Sequence, residues 1–167
     1  DLKTPAGQEI LGRIATTADA LINNLRGDLP AKLGLDYAAL GVLKPKIVCV
    51  HLSAYGRNNK RAAWPGLDYV MQAEAGYLSM TGEPDGPPTR MGLSIVDFMA
   101  GLTAAFALVA GVMGARQNGI GQDYDASLFD VAMANLSYPA TWHLNEGYEP
   151  RRVPRSGHPS LVPSEMY

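Results

Sequence analysis

Residues 91–122 read MGLSIVDFMAGLTAAFALVAGVMGARQNGIGQ and form a long apolar segment. No charged residue lies between Asp97 and Arg116, so the sequence predicts a helix that is apolar around most of its circumference and buried on most sides. Arg116 suits the negative end of the helix dipole, and Gly119 and Gly121 suit its exit. Small residues would let neighbouring backbones approach this helix closely: Ala100, Gly101, Ala104, Ala105, Gly111 and Gly114.

The segments before this helix alternate between helical and extended patterns. Residues 6–17 place apolar side chains on one helical face, and residues 19–25 predict a short buried strand. Residues 36–43 predict a short helix that Asp36 could cap, and residues 46–53, rich in β-branched side chains, predict a second strand. This alternation indicates a parallel sheet covered by helices, which is an α/β fold.

Loops and further elements follow from turn chemistry. Residues 55–65 are polar and basic and predict a loop, residues 67–75 predict a helix that Gly76 ends, and residues 82–88 (GEPDGPP) predict turns. Beyond the long helix we expect an extended segment, a second apolar helix and a connector rich in Pro and Gly, over residues 122–127, 128–144 and 145–167.

Composition limits the class of protein. The 167 residues, with 14 Lys+Arg against 16 Asp+Glu, fit one domain and argue against an electrostatic nucleic-acid interface. Cys49 is the single cysteine, which excludes a disulfide framework and predicts a core thiol. The long helix approaches the length of a membrane span, but its many Gly and Ala favour a soluble protein, with a membrane helix as the alternative. No signal peptide is predicted, and we expect a cytoplasmic protein.

Asp97 is the strongest candidate for a functional residue in this sequence. It lies at the start of the long helix, where backbone N–H groups lack partners and the dipole favours an anion by roughly 0.3–1 kcal/mol. Two interpretations stay open, an ordinary cap and an ionised, reachable functional carboxylate. Desolvation would oppose ionisation, so accessibility decides between them. Asp68, at the start of a shorter helix, is expected to cap that helix.

Other motifs are less informative. The three histidines do not have metal-ligand spacing, and His51 is expected in the core or at a sheet end. No CxxC, paired-carboxylate, G-x-S-x-G or phosphate-loop signature occurs, so no metal site is predicted. The basic residues of loop 55–65 are expected to be a solvated surface, with contact to a phosphate-bearing ligand as the alternative: Arg57, Lys60 and Arg61.

Six segments then carry a family resemblance, in chain order: DLKTPAG, ADALINNLRGDLPAKLGLDYAAL, KPKIVCVHLSAYG, PGLDYVMQAEAGYLSMTGEPDGPP, the D-x-x-x-G of Asp97 to Gly101, and GQDYDASLFDVA. Together they resemble the class III CoA-transferase family, which also contains α-methylacyl-CoA racemases. The resemblance implies a doubly wound, Rossmann-like large domain joined by long linkers to a smaller domain, in an interlocked homodimer. Residues 1–144 would be the later part of the large CoA-binding domain, without its first strands, and residues 145–167 the start of a linker. The absence of an initial Met agrees with a fragment of a longer enzyme.

The resemblance also implies the chemistry. The family's nucleophile falls on Asp97, which would attack an acyl-CoA thioester, form an aspartyl-CoA thioester and pass CoA to a free carboxylic acid. Backbone N–H groups at the helix start could stabilise the oxyanions. Coenzyme A, as acyl-CoA, would be the only cofactor, without a metal. The partners would be acyl-CoA and carboxylic acids, with neither nucleic acid nor membrane.

Contacts to CoA carry over onto six residues: Lys3, Asn24, Leu25, Arg26, Lys32 and Leu33. Lys32 stands where relatives usually have Arg, and Lys lacks the fork that grips phosphate at two points. The turn Gly66-Leu67-Asp68 matches residues that approach the thioester and the acyl group. Racemases resemble G-H-D at this turn, and Leu67 cannot carry a proton, which favours transfer over racemisation. A non-catalytic CoA-binding fragment is the remaining alternative.

Overall fold

The computed structural model describes all residues, 1–167. Helices and strands alternate along the chain, which confirms the α/β class. In chain order the elements are α1 (Pro5–Thr17), β1 (Ala20–Asn23), α2 (Tyr37–Leu40), β2 (Val48–Ser53), α3 (Asp68–Glu74), α4 (Tyr77–Met80), α5 (Ile95–Asn118), β3 (Asp123–Ser127), α6 (Leu128–Ala134) and α7 (Ser137–Glu146). Short 3-10 turns occur at Ala31–Leu33 and Pro154–Ser156. Each strand lies inside the segment predicted for it.

The three strands form one parallel sheet in the order β1-β2-β3. At the ends of the two ladders Asn23 is opposite His51, and Ser53 is opposite Ser127. The central strand β2 is buried along almost its whole length, as expected for a parallel strand covered on both faces. Because the strands are parallel, their carboxyl ends meet at one edge of the sheet.

Alternate side chains of β2 point to opposite faces of the sheet. Val48 and Val50 pack against α5 through Ala104 and Ala115. Cys49 points to the other face, where it packs with residues of α1 and α2. Helices therefore cover both faces, as in a doubly wound fold. The Cys49 thiol is a core thiol as predicted, and burial, with smaller contributions from nearby carboxylates, raises its pKa to about 12.

The long helix α5 is buried on one side only, so the expectation of burial on most sides is wrong for this chain. Its buried residues are Val96, Ala100, Ala104, Gly111 and Ala115. The opposite side exposes Phe98, Leu102, Phe106, Val109 and Met113, and Phe106 is 82% exposed. The physical reason is that a three-stranded sheet covers one side of a helix. By length and composition α5 is long and apolar enough to cross a membrane. Of its most apolar 18-residue segment, 22% is buried inside the protein.

Some of the small residues of α5 do permit a close approach. At Gly111 an added Cβ would lie 2.6 Å from the Tyr124 ring and 2.9 Å from Val48. Gly101 and Gly114 have no heavy atom within 4 Å of such a Cβ. The helix and the sheet therefore approach each other closely at Gly111, and the other two glycines do not serve this packing.

The second apolar helix is two helices, so the single helix predicted over residues 128–144 is wrong. The chain breaks after Ala134, and α7 begins at Ser137, whose φ is 52°. Pro139 explains the break, because its ring would clash with the carbonyl of Asn135 in a continuous helix. The apolar pattern of the sequence continues across Pro139, so it did not indicate that the helix ends there.

We predict that Gly111→Ala destabilises the protein. The new methyl group would overlap Tyr124 and Val48, and this overpacking outweighs the gain in helix propensity, for a net loss of about 1 kcal/mol. Gly114→Ala on the same helix is the matched control and should gain about 0.5–1 kcal/mol, since its methyl group meets nothing. Urea unfolding measures both changes, and equal effects would contradict this account of the packing.

Candidate functional site

A cavity of 560 Å³ opens at the carboxyl ends of β1 and β2. Open α/β sheets bind ligands at this edge, which makes the cavity the candidate site. Its lining comes from the ends of β1 and β2, the loop before α3, and the starts of α5 and α6: Asn24, Leu25, Arg26, Leu52, Ser53, Ala54, Trp64, Pro65, Gly66, Leu67, Asp97 and Leu128.

The structure brings six of the predicted site residues together in this cavity: Asn24, Leu25, Arg26, Gly66, Leu67 and Asp97. The other four, Lys3, Lys32, Leu33 and Asp68, lie outside its lining. Sequence reasoning missed the remaining lining residues: Leu52, Ser53, Ala54, Trp64, Pro65 and Leu128. Their position in the sequence could have identified several of them, because residues that follow parallel strands lie at the same edge of a sheet.

The basic residues among the predicted CoA contacts lie near one another. Arg26 and Lys32 both bind Asp28, at 2.8 Å and 2.7 Å. Hydrogen bonds from Arg26 and then Lys32 hold the pKa of Asp28 well below its usual range. One carboxylate thus fixes two cations beside the cavity.

The N-terminal segment is tied to the same region. The side-chain amide of Gln8 donates to the carbonyl oxygens of Leu2, at 2.6 Å, and Leu33, at 2.9 Å. This bridge places Lys3 next to the turn that carries Lys32. Of these three basic residues only Arg26 lines the cavity, with Lys32 beside it on Asp28 and Lys3 in the adjoining N-terminal segment.

Asp97 lies in the first turn of α5, is exposed and lines the cavity. The reachable carboxylate that the functional interpretation required is therefore present. Burial of part of the group, and next the charge of Asp68, raise the pKa of the Asp97 carboxyl. The direction of this pKa shift is opposite to the one expected from the helix terminus.

The N–H groups at the start of α5 are occupied by Asp68. Its Oδ2 accepts from the backbone N–H of Val96 at 2.8 Å and of Asp97 at 3.2 Å. Asp68 lies in the first turn of α3 without capping it, so the prediction that it caps its own helix is wrong. Ser94, at the N-cap position of α5, makes no side-chain capping bond. The two N–H groups are consequently not free to stabilise an oxyanion, contrary to expectation.

The turn before α3 lies directly against the end of β2. An added Cβ at Gly66 would lie 2.4 Å from the Ala54 Cβ, so this position requires glycine. The turn leaves Leu67 56% exposed beside the cavity. Trp64, also at the cavity, is backed by the Arg61 guanidinium at 4.7 Å from its ring. Leu67 and Trp64 therefore give this part of the cavity an apolar surface.

The basic loop is largely not a solvated surface, and that expectation is wrong for both of its arginines. Arg57 binds Asp125 at 2.7 Å and Asp123 at 3.3 Å. Arg61 binds both carboxylate oxygens of Glu74, at 2.8 Å and 2.6 Å. These ion pairs fasten the loop to β3 and α3, and both guanidinium groups are paired with carboxylates of the chain.

His51 is fully buried, which confirms the core histidine expected from sequence. Its Nδ1 lies 2.9 Å from the Asn23 amide nitrogen, and its Nε2 lies 2.9 Å from Asp123 Oδ1. Because the amide nitrogen is a donor, these partners assign a neutral ring that accepts at Nδ1 and donates from Nε2. Asn23 also accepts from the N–H of Leu25 at 3.4 Å, so the network extends to the cavity loop.

Asp123 carries the charge of this network. Burial alone would raise the pKa of its carboxyl, but hydrogen bonds from His51 and the Tyr37 N–H, with the charge of Arg57, lower it overall. A carboxyl with a lowered pKa stabilises the fold above its unfolded pKa, and this stabilisation is lost as the pH falls through the folded-state pKa.

We predict that Asp123→Asn lowers the free energy of unfolding at pH 7 by about 2 kcal/mol, because His51 and Arg57 lose their charged partner. The difference from wild type should shrink from about pH 4 downward, as Asp123 becomes protonated in the wild type. Asp125→Asn is the matched control, since Asp125 is more exposed and binds Arg57 alone, and it should cost less than about 1 kcal/mol. A pH-independent difference in urea unfolding would contradict this assignment.

An open parallel sheet with helices on both faces, and a cavity with an exposed carboxylate at its carboxyl edge, define an α/β ligand-binding domain. The chain matches CoA-transferase family III over residues 1–167 and belongs to that family. This match confirms the resemblance read from the motifs.

Individual relatives agree. The chain is 37% identical over 166 residues to a succinate–glutarate CoA-transferase of Agrobacterium fabrum, covering 99% of this chain and 41% of the relative. It is 34% identical over 167 residues to an acyl-CoA transferase of Fusarium pseudograminearum, covering 100% of this chain and 36% of the relative. The crystal structure of a CAIB/BAIF family protein from Brucella suis superposes with a TM-score of 0.87 at 30% identity, over 98% of this chain and 43% of that one. The chain thus spans less than half the length of these relatives.

Proposed function

We propose that this chain is part of a class III CoA-transferase that moves CoA between an acyl-CoA thioester and a free carboxylic acid. The observation that carries the proposal is Asp97, whose exposed carboxylate lines the cavity beside the proposed CoA contacts. Membership of CoA-transferase family III supports it, as do relatives whose names describe CoA transfer.

In the proposed reaction an Asp97 carboxylate oxygen attacks the thioester carbonyl, and the C–S bond breaks to give a mixed anhydride and CoA thiolate. The thiolate then attacks the Asp97 carbonyl of the anhydride, which releases the donor acid as a carboxylate and leaves aspartyl-CoA. An incoming carboxylate reverses both steps and leaves as the new acyl-CoA. Each intermediate is an activated acyl group of similar energy, so no single step carries the whole barrier.

Several features of the site suit this chemistry. The raised pKa of Asp97 makes its carboxylate more basic than an ordinary aspartate, and a more basic oxygen is a better nucleophile once ionised. The apolar surface of Leu67 and Trp64 beside it would receive the acyl group and limit the access of water. Arg26, with Lys3 and Lys32 behind it, would hold the phosphates of CoA.

We further propose the setting of the reaction. The complete enzyme would be a cytoplasmic, interlocked homodimer without a metal, with residues 1–144 in its large CoA-binding domain and residues 145–167 at the start of a linker. The exposed apolar side of α5 would then be covered by protein. Because α5 packs against a sheet that carries partly buried ion pairs such as Arg57–Asp123, we place it in a soluble domain rather than a membrane.

Asp97→Ala in the full-length enzyme should lower CoA transfer by at least about a thousandfold, since the variant lacks the attacking oxygen. The measurement is exchange of CoA between an acyl-CoA and a labelled free acid. Hydroxylamine added with acyl-CoA should convert Asp97 of the wild type to a hydroxamate, which mass spectrometry of the peptide detects.

Asp125→Asn, an exposed carboxylate outside the cavity lining, is the control and should retain transfer. Transfer that persists in Asp97→Ala would refute the role of Asp97. Solvent deuterium entering the α-carbon of a branched acyl-CoA without acid exchange would support the racemase alternative, and CoA binding without either reaction would support a binding module. Leu67 disfavours the racemase, because a hydrocarbon side chain cannot take the proton.

Lys32→Ala should raise the KM for acyl-CoA about tenfold and leave kcat nearly unchanged, because a phosphate contact binds ground state and transition state alike. The effect should weaken at high ionic strength. Lys46→Ala, just before the opposite end of β2, is the control for loss of a surface charge. Equal KM values for the two variants would show that Lys32 does not contact CoA.

A further inference from the structure

The carboxylate of Asp68 is buried without a cationic partner. The residue is 5% exposed, and no Lys, Arg or His forms an ion pair with it. It is surrounded instead by three N–H donors, the backbone groups of Val96 and Asp97 and the side chain of Gln72, which lies 2.5 Å away. Three hydrogen bonds and the positive end of the α5 dipole compensate the buried charge.

We propose that Asp68 is a positioning residue for CoA transfer: it fixes the first turn of α5 and occupies the N–H groups that the Asp97 carboxylate would otherwise bind. This inference rests on the proposed role of Asp97 as nucleophile. An aspartate in the first turn of an uncapped helix can bind the free N–H groups of that turn, which stabilises its ionised form and makes it less basic. Asp68 removes that option, and Asp97 faces the cavity instead.

The groups around the Asp68 side chain are all hydrogen-bond donors, so the side chain at this position must accept hydrogen bonds and donate none. Gln72 is held in one orientation, because its Oε1 accepts from the N–H of Met91 at 2.9 Å and its Nε2 donates to the carbonyl of Leu93 at 3.3 Å. The Nε2 group must therefore point at Asp68 as a donor. An asparagine at position 68 would lose the hydrogen bond from Gln72 if its NH₂ group took the place of Oδ1, or both bonds from Val96 and Asp97 if it took the place of Oδ2.

The negative charge of Asp68 also affects the reactivity of Asp97. A carboxylate close to Asp97 disfavours a second negative charge, and this effect adds to partial burial in raising the pKa of Asp97. Asp68 thus acts on the nucleophile twice, by withholding hydrogen bonds from it and by repelling its negative charge. Both effects keep the ionised Asp97 basic.

The test uses the full-length enzyme with hydroxylamine trapping at Asp97 across a pH series, with an acyl-CoA that the wild type accepts. In Asp68→Asn the apparent pKa for Asp97 acylation should move at least about 0.5 pH units toward acid, because the neighbouring charge is gone and an N–H group is released. The rate on the high-pH plateau should fall about tenfold, while the KM for acyl-CoA changes less than twofold, since the CoA contacts are untouched.

Asp36→Asn is the matched control. Asp36 also uses its carboxylate to cap a helix, through the N–H of Ala39 at 3.1 Å, but it caps α2 outside the cavity lining. Its pH profile should superpose on that of the wild type. Asp68→Glu keeps the charge, and its apparent pKa should lie closer to the wild-type value than that of Asp68→Asn.

An unmoved apparent pKa in Asp68→Asn, or a rise in KM that matches the fall in rate, would overturn the proposal and leave Asp68 a structural residue. If Asp68→Asn does not fold, Asp68→Glu decides, because its longer side chain keeps the charge but shifts the acceptor away from the N–H groups of Val96 and Asp97. A plateau rate equal to that of the wild type then overturns the proposal, and a lower plateau rate at an unchanged KM supports it. Failure of the proposed function is distinguishable, because the wild type would then form no hydroxamate at Asp97 at any pH.

Discussion

The arrangement of the site depends on the contact between the carboxylate of Asp68 and the backbone N–H groups of Val96 and Asp97 in the first turn of α5. It joins the start of α3 to the start of α5, two elements that approach the same edge of the sheet from different loops. Without it the first turn of α5 would have neither a side-chain cap nor a fixed position relative to Leu67. One buried anion thus sets the distance between the acyl side of the cavity and the nucleophile proposed at Asp97.

The remaining geometry follows from the parallel sheet. Strands that run in one direction bring their carboxyl ends together, and the loops after β1 and β2 meet there so closely that a Cβ at Gly27 would lie 2.2 Å from the Gly56 carbonyl oxygen. His51 of β2 forms side-chain hydrogen bonds with Asn23 at the end of β1 and with Asp123 at the start of β3, and Asn23 also accepts from the N–H of Leu25. Arg26 and the apolar turn at Leu67 consequently line the same cavity.

Much of this was predictable from the sequence, for identifiable reasons. Periodicity gave the α/β class and all three strands, and local motifs identified the family and six lining residues. Contacts between distant residues were not predictable, such as Arg57 with Asp125 or Asp68 with Val96, because no local pattern encodes which loops meet in space. The apolar composition of α5 led to the wrong prediction that the helix is buried on most sides. An apolar helix surface must be buried against something, but composition does not show which part of a protein buries it. The break before α7 was visible in Pro139, but the apolar periodicity outweighed it.

The position of Cys49 has a consequence for an enzyme that handles thioesters. A thiolate beside the cavity would compete with Asp97, because sulfur attacks acyl-CoA readily and would divert the acyl group into a stable protein adduct. The single sulfhydryl of this chain instead points to the α1 and α2 side of the central strand, fully enclosed, and stays protonated because burial raises its pKa to about 12. Under the proposed function, this placement would keep the Cys49 thiol from accepting an acyl group from a bound thioester.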